Sequence, residues 1–181
     1  AAPEHKITTA KLAAQVGVSE AALYRHFPSK TKMFEELITF AEQTLFVRIH
    51  QLATRELSSL NRCTALLRLF LEFCERNPGI TRLLTGSALG GESHRLHDQV
   101  AQLHDRLETQ VRQYLRNAEL YDAQRTCLPI NAAANLLMAS AEGRVAQFVR
   151  SGFKRNPTEG WQDQSSTLIT QLMRQNRASQ G

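Results

Sequence analysis

An all-α fold is predicted by three features of this 181-residue sequence. Apolar residues recur at three- and four-residue steps along nearly the whole chain, as one buried face of a helix requires. No sustained run of alternating β-branched residues appears, and only 9 Gly and 5 Pro break the periodicity. With 42% hydrophobic and 22% charged residues the composition is that of a globular protein, which excludes collagen-like, disordered and disulfide-stapled classes. A core at this length can bury roughly 70% of the unfolded chain's surface without metals or disulfides.

The first element is the stretch ITTAKLAAQVGVSEAALYRHFPSK, Ile7 to Lys30. A short helix from Thr9 to Val16 would put Leu12, Ala13 and Val16 on one face, and Gly17 can take the left-handed conformation of a tight turn. Ser19 suits the N-cap of a second helix, whose Ala22, Leu23 and Phe27, with Val18, would face the first. Pro28-Ser29 ends the unit. Two short helices joined by a Gly-containing turn read as a helix-turn-helix, or as a helical hairpin serving only a core.

The outer face separates those alternatives. Glu20, Ala21 and Tyr24 would project from the second helix, where a carboxylate can accept from cytosine, a methyl can touch a thymine methyl and a phenol can reach a base edge or phosphate. Thr8, Thr9 and Lys30 are placed for phosphates, which fix register while bases specify sequence. With Ser19 and His26 they complete the candidate DNA-facing set. The formal charge of +5 is concentrated here: residues 1–34 hold five Lys or Arg against two Glu.

Five further helices are expected. Residues 31–57 carry Phe34, Leu37, Ile38, Ala41, Leu45, Ile49 and Leu52 on one stripe. Residues 62–76 are apolar on most sides, hence central, and end at Asn77-Pro78-Gly79. Residues 93–118 repeat Leu96, Val100, Leu103, Leu107, Val111 and Leu115; residues 130–151 repeat Ile130, Ala134, Leu137, Ala141, Val145 and Phe148. A final helix is expected over 158–177, with flexible pieces at 86–92, 119–129 and both termini.

The run VGVSEAALYRHFPSK resembles the helix-turn-helix of TetR-type regulators. That resemblance implies a three-helix DNA-binding head, here residues 1–35, and a helical body, 36–181, that dimerises through its last two helices and reads palindromic double-stranded DNA. It also implies a helix before Ile7, so the chain is expected to begin inside the head. ITTAKLA, SEAALYRHFPSKTKMFEELI, ERNPGITRLLTG and FVRSGFKRNPT are similar to the nucleoid occlusion branch of that family. This implies a nucleoid-associated protein that, on DNA, antagonises the tubulin-like division protein FtsZ through a groove matching Phe40, Arg48, Leu69, Arg76 and Asn77. Glu72 stands where the resemblance implies a small residue, and Gly86, Gly90 and Gly91 make the central loop more glycine-rich than it implies.

The residues themselves support part of that groove. Phe40 lies about 200° round the helix from Ile38, away from the apolar stripe, with Thr44, Val47 and Arg48 following on the same side. An aromatic beside a guanidinium is a pairing enriched at protein interfaces, although another helix of the body could instead cover Phe40.

Other candidate sites read weakly. His94, His97, Asp98 and His104 have helix-compatible ligand spacing but read as solvated, so no metal is expected. Residues 86–91 lack the Lys-Ser/Thr of a phosphate loop, and no catalytic triad or carboxylate pair stands out, so neither cofactor nor enzymatic activity is expected. Tyr121 and Trp161 read as packing anchors; Cys63, Cys74 and Cys127 read as reduced thiols within helices. No stretch of eighteen apolar residues or cleavable leader appears, so the expected location is cytoplasmic, with no membrane contact. Two other functions stay open at this level: a ligand-responsive repressor with an apolar cavity in its body, and a helical enzyme that happens to contain a helix-turn-helix.

Overall fold

The computed structural model describes Ala22 and residues 25–173, and within them every long element is a helix. Six run in order: α1 Lys30–Ala53, α2 Ser59–Arg76, α3 Pro78–Leu84, α4 His94–Tyr121, α5 Ile130–Arg150 and α6 Trp161–Leu172. The candidate DNA-facing residues Thr8, Thr9, Ser19, Glu20, Ala21 and Tyr24 lie outside the described residues. Ala22, Arg25 and His26 are helical, and Phe27 packs on the edge of the core.

The stripe read from α1 is the one that is buried: Phe34, Ile38, Ala41, Leu45, Ile49 and Leu52 all face inward, with Met33 and Phe46 beside them. Ser29 starts the helix by accepting from the Lys32 N–H at 3.1 Å, satisfying a donor that has no intrahelical partner. The helix ends at Ala53, four residues short of the expected 57. α2 is central as its all-round apolarity predicts, packing against all five other helices. It begins at Ser59 and not at 62, because Ser58 caps it at Asn61 and the Asp122 carboxylate accepts from the Ser59 N–H at 2.8 Å.

Asn77-Pro78-Gly79 stops α2 but also starts α3, a helix that the sequence pattern does not predict. Proline is harmless at the first position of a helix, where its missing N–H would have no partner anyway. Thr81, fully buried, holds the junction by donating from its hydroxyl towards the carbonyls of Cys74 and Asn77, at 2.8 and 2.9 Å. Cys63 and Cys74 sit in this interior, where burial pushes both thiols up to about 12; for Cys74 the Thr81 hydroxyl offsets part of that. Neither is reactive at neutral pH. Cys127, expected within a helix, is instead exposed in the loop before α5.

The segment 86–92, expected to be flexible, is tied down. Ala88 and Leu89 are buried in the core, and the Ala88, Leu89 and Glu92 amides donate to the carbonyls of Arg82, Gly86 and Leu89. The 119–129 segment is similarly constrained. α4 continues through Tyr121, and the Cys127 amide donates to the Leu172 carbonyl at 2.7 Å, joining this loop to the end of α6. Tyr121 is no packing anchor: it is 78% exposed, because the last buried residue of α4 is Ala118.

α6 starts at Trp161 and not at 158, with Gly160 as N-cap at φ +67°, a left-handed conformation that glycine adopts without strain. Trp161 is buried as expected. The Arg144 guanidinium of α5 binds the α5–α6 loop through the carbonyls of Pro157, Asn156 and Glu159, while Thr158 donates to Glu75 on α2. These contacts fix α6 against α5 and α2.

Candidate functional site

Of the candidate DNA-facing residues, the structure describes His26 and Lys30. His26 is exposed on its helical turn. Lys30 opens α1 and its ammonium is turned towards the body: it pairs with the Glu92 carboxylate at 2.8 Å and lies 5.1 Å from the centre of the Phe34 ring. The Thr31 hydroxyl donates to the other Glu92 oxygen at 3.2 Å. The signal for this pairing is absent from local sequence, since Glu92 belongs to the ordered loop ahead of α4.

That contact begins a polar seam between α1 and α4. Arg95 pairs with Glu35 at 3.4 Å, and the Gln99 side-chain amide donates to the Glu35 carbonyl and the Thr39 hydroxyl at 3.3 and 3.1 Å. Arg106 pairs with Glu42 and stacks over Phe46, its guanidinium carbon 4.1 Å from the ring centre. Lys32 adds contacts to Glu35 and Glu36, which together raise its pKa although the side chain is solvent-exposed. The sequence boundary at residue 35 falls inside α1, which runs unbroken from the candidate DNA contact at Lys30 to the body.

The five residues of the expected partner groove divide between the adjoining helices α1 and α2. Phe40 is 52% exposed and Val47 57% exposed, with Arg48 beside them, so among the described residues no helix covers the aromatic. On α2, Arg76 is exposed and Leu69 half-buried against the core; Asn77 caps the helix, its side-chain amide donating to the Phe73 carbonyl at 2.8 Å. Glu72, on the outer side of α2, is held by Arg68 at 2.8 Å one turn away.

His104 departs from the expectation of a solvated side chain beside His97. His97 is exposed, but His104 is half-buried, edge-on to Phe70 with ring centres 5.8 Å apart. Its Nδ1 faces Glu142 at 3.2 Å and its Nε2 faces the Leu84 carbonyl at 3.1 Å. Both partners accept, so this geometry is satisfied when both ring nitrogens donate, that is, by the imidazolium. Burial opposes that charge, but the Glu142 hydrogen bond and charge, the Leu84 carbonyl and Asp105 outweigh it and hold the pKa above the ordinary histidine value. Among the described residues no group of three His, Cys, Asp or Glu side chains could hold a metal ion.

A raised pKa in the folded state means that His104 adds stability fully at pH below its unfolded value, and that this contribution fades as pH rises through the folded value. The parent protein should therefore lose thermal stability relative to a His104→Gln variant as pH climbs from about 6 to 8, the range where histidine titrates. Parallel melting curves across that range check this; the same pH dependence in the two proteins would contradict it.

His104 and Glu142 also border a cleft of about 530 Å³ between α3, α4 and α5, with Leu84, Val100, Ala139 and Gly143. It opens at the surface along the outward face of α5.

Comparisons with known proteins accord with this architecture. Residues 5–37 match the family described as bacterial regulatory proteins, tetR family, and residues 57–173 match the tetracyclin repressor-like, C-terminal domain of SlmA-like type. The structure is similar to that of the TetR family transcriptional regulator PfmR from Thermus thermophilus, with a TM-score of 0.68 at 20% identity over 93% of this chain and 90% of that one. Nucleoid occlusion factor SlmA of Idiomarina loihiensis is 51% identical over 171 residues, 94% of this chain and 87% of its own. That of Shewanella pealeana is 52% identical with the same coverage. The chain belongs to the TetR family and, within it, to the nucleoid occlusion factors. Among the described residues no helix is long and apolar enough to cross a membrane.

Proposed function

We propose that this protein acts as a homodimer on palindromic DNA and, when so bound, opposes the assembly of FtsZ, keeping septa off the nucleoid. In this reading residues 1–35 form the DNA-binding head. Glu20, Ala21 and Tyr24 face the major groove, with Thr8, Thr9, Ser19, His26 and Lys30 completing the DNA surface. Phe40, Arg48, Leu69, Arg76 and Asn77 form the FtsZ surface on the body.

The observation that carries this reading is the outward row of Phe40, Val47 and Arg48 on a helix whose opposite face is buried throughout. Exposing a phenylalanine and a valine to water serves no folding purpose, whereas a partner peptide laid across them would recover that apolar surface. Dimerisation draws support from α5. Its inward face carries Ala133, Ala134, Leu137, Met138, Ala141, Val145 and Phe148, while Ala132, Leu136, Ala139, Gly143 and Ala146 face out, all apolar and all but Leu136 small. A two-fold pairing of that face with α6 would make a four-helix bundle and set two recognition helices about 34 Å apart, one turn of DNA.

Sedimentation of FtsZ polymer is the direct test. The protein with a cognate DNA duplex should lower the pelleted FtsZ fraction well below that seen with protein alone. Unchanged pelleting in both conditions, together with release from DNA by a small molecule, would instead favour a ligand-responsive repressor.

A further inference from the structure

The recognition head and the body share one lysine. Lys30 is placed for a DNA phosphate, yet its ammonium rests 2.8 Å from Glu92 of the body and over the ring of Phe34, which is buried in the core that α1 shares with the body. An ammonium is a compact charge, and moving it to a phosphate means leaving the carboxylate. We propose that Glu92 is an internal competitor for Lys30, a latch that holds the first turn of α1 to the loop ahead of α4 and that DNA must open. The inference rests on the reading of Lys30 as a phosphate contact.

Three observations make Glu92 more than a stray surface partner. The Glu92 side chain is largely enclosed, and it is held from two sides, by Lys30 and by the Thr31 hydroxyl. Its position is fixed, because its amide donates to the Leu89 carbonyl at 2.9 Å and Leu89 is buried in the core. It also stands at the head of the α1–α4 seam, where Arg95 and Arg106 grip Glu35 and Glu42. Withdrawing Lys30 leaves the carboxylate with the Thr31 hydroxyl, so opening the latch removes one of the ties along that seam. The helix so released is the one that carries Phe40 and Arg48. By reciprocity, whatever tightens the seam must weaken DNA binding, and DNA must loosen the seam.

A double-mutant cycle on DNA affinity tests this, using Glu92→Gln, Lys30→Met and the pair in the full chain. Breaking a partly exposed ion pair that opposes binding should tighten DNA about fivefold in Glu92→Gln. Lys30→Met should weaken binding to all sequences and flatten the salt slope by about one unit, as the loss of a phosphate contact does. The pair should then match Lys30→Met alone, because Glu92 has nothing left to compete for. Glu92→Asp, which keeps the charge but draws it back from Lys30, should tighten DNA in the same direction if glutamine disturbs the loop. No tightening in either Glu92 variant overturns the latch. Equal tightening with and without Lys30 also overturns it, since the effect would then be general repulsion between a carboxylate and DNA. If Lys30→Met leaves DNA affinity unchanged, it is the phosphate assignment itself that fails.

Discussion

Phe40→Ala is expected to abolish inhibition of FtsZ assembly while leaving DNA affinity and thermal stability nearly where they were. The separation follows from where the side chain sits. More than half of Phe40 is exposed and its helix buries the opposite face, so truncation leaves no cavity in the core. Substitutions at such positions change stability by only about 0.5 kcal/mol or less. At an interface the same side chain can act as a hot spot, costing about 2 kcal/mol or more on truncation, which is about thirtyfold in affinity. Arg48→Ala should follow the same pattern more weakly, since a rim guanidinium contributes less than a buried aromatic. DNA affinity should hold because both positions lie on α1 well beyond the head at Lys30. The measurement is FtsZ pelleting at saturating DNA, with DNA affinity determined in parallel. Full inhibition by both variants would remove this face of α1 from the FtsZ surface.

The face of α1 is legible in the sequence because burial imposes a period. Residues that must all reach one core fall at 3.6-residue spacing, so Phe34, Ile38, Ala41, Leu45, Ile49 and Leu52 name themselves, and a phenylalanine off that stripe is conspicuous. α3 is hidden because seven residues show barely two turns of pattern, and its proline reads as a stop as readily as a start. Leu89 lies between Gly86 and Gly90, where local signals favour a loop; its burial comes from helices brought together by the fold.

Long-range partners are illegible for a related reason. His104 is one turn from Val100, at the edge of the α4 stripe, but its charge state depends on Leu84 and Glu142, which reach it only when α3 and α5 pack on α4. Lys30 announces its charge and its place beside the head, while the carboxylate that claims it lies across the α1–α4 seam. Sequence patterns give the types of groups near a site. Which of them are already engaged is a tertiary property, and it decides how readily each can serve a ligand.

Gly143→Arg is expected to turn the protein into a folded monomer with at least a hundredfold weaker hold on a palindromic site. Glycine within a helix costs about 1 kcal/mol relative to alanine, so a glycine in the second half of the 21-residue α5 calls for a compensating reason. The described residues supply none: among them a Cβ at Gly143 would meet nothing within 4 Å. Open space beside a costly glycine, on a face with Ala139 and Ala146, fits the close approach of a second α5 across a two-fold axis. The monomer should tolerate arginine there, and Gly143→Ala should even stabilise the isolated helix while weakening the dimer. Loss of pairing separates the two recognition helices, and the avidity gained by binding two half-sites together is on the order of 10² to 10⁴. Light scattering with DNA titration in parallel reads both effects. A Gly143→Arg dimer that keeps parental DNA affinity would move the dimer interface away from the outward face of α5.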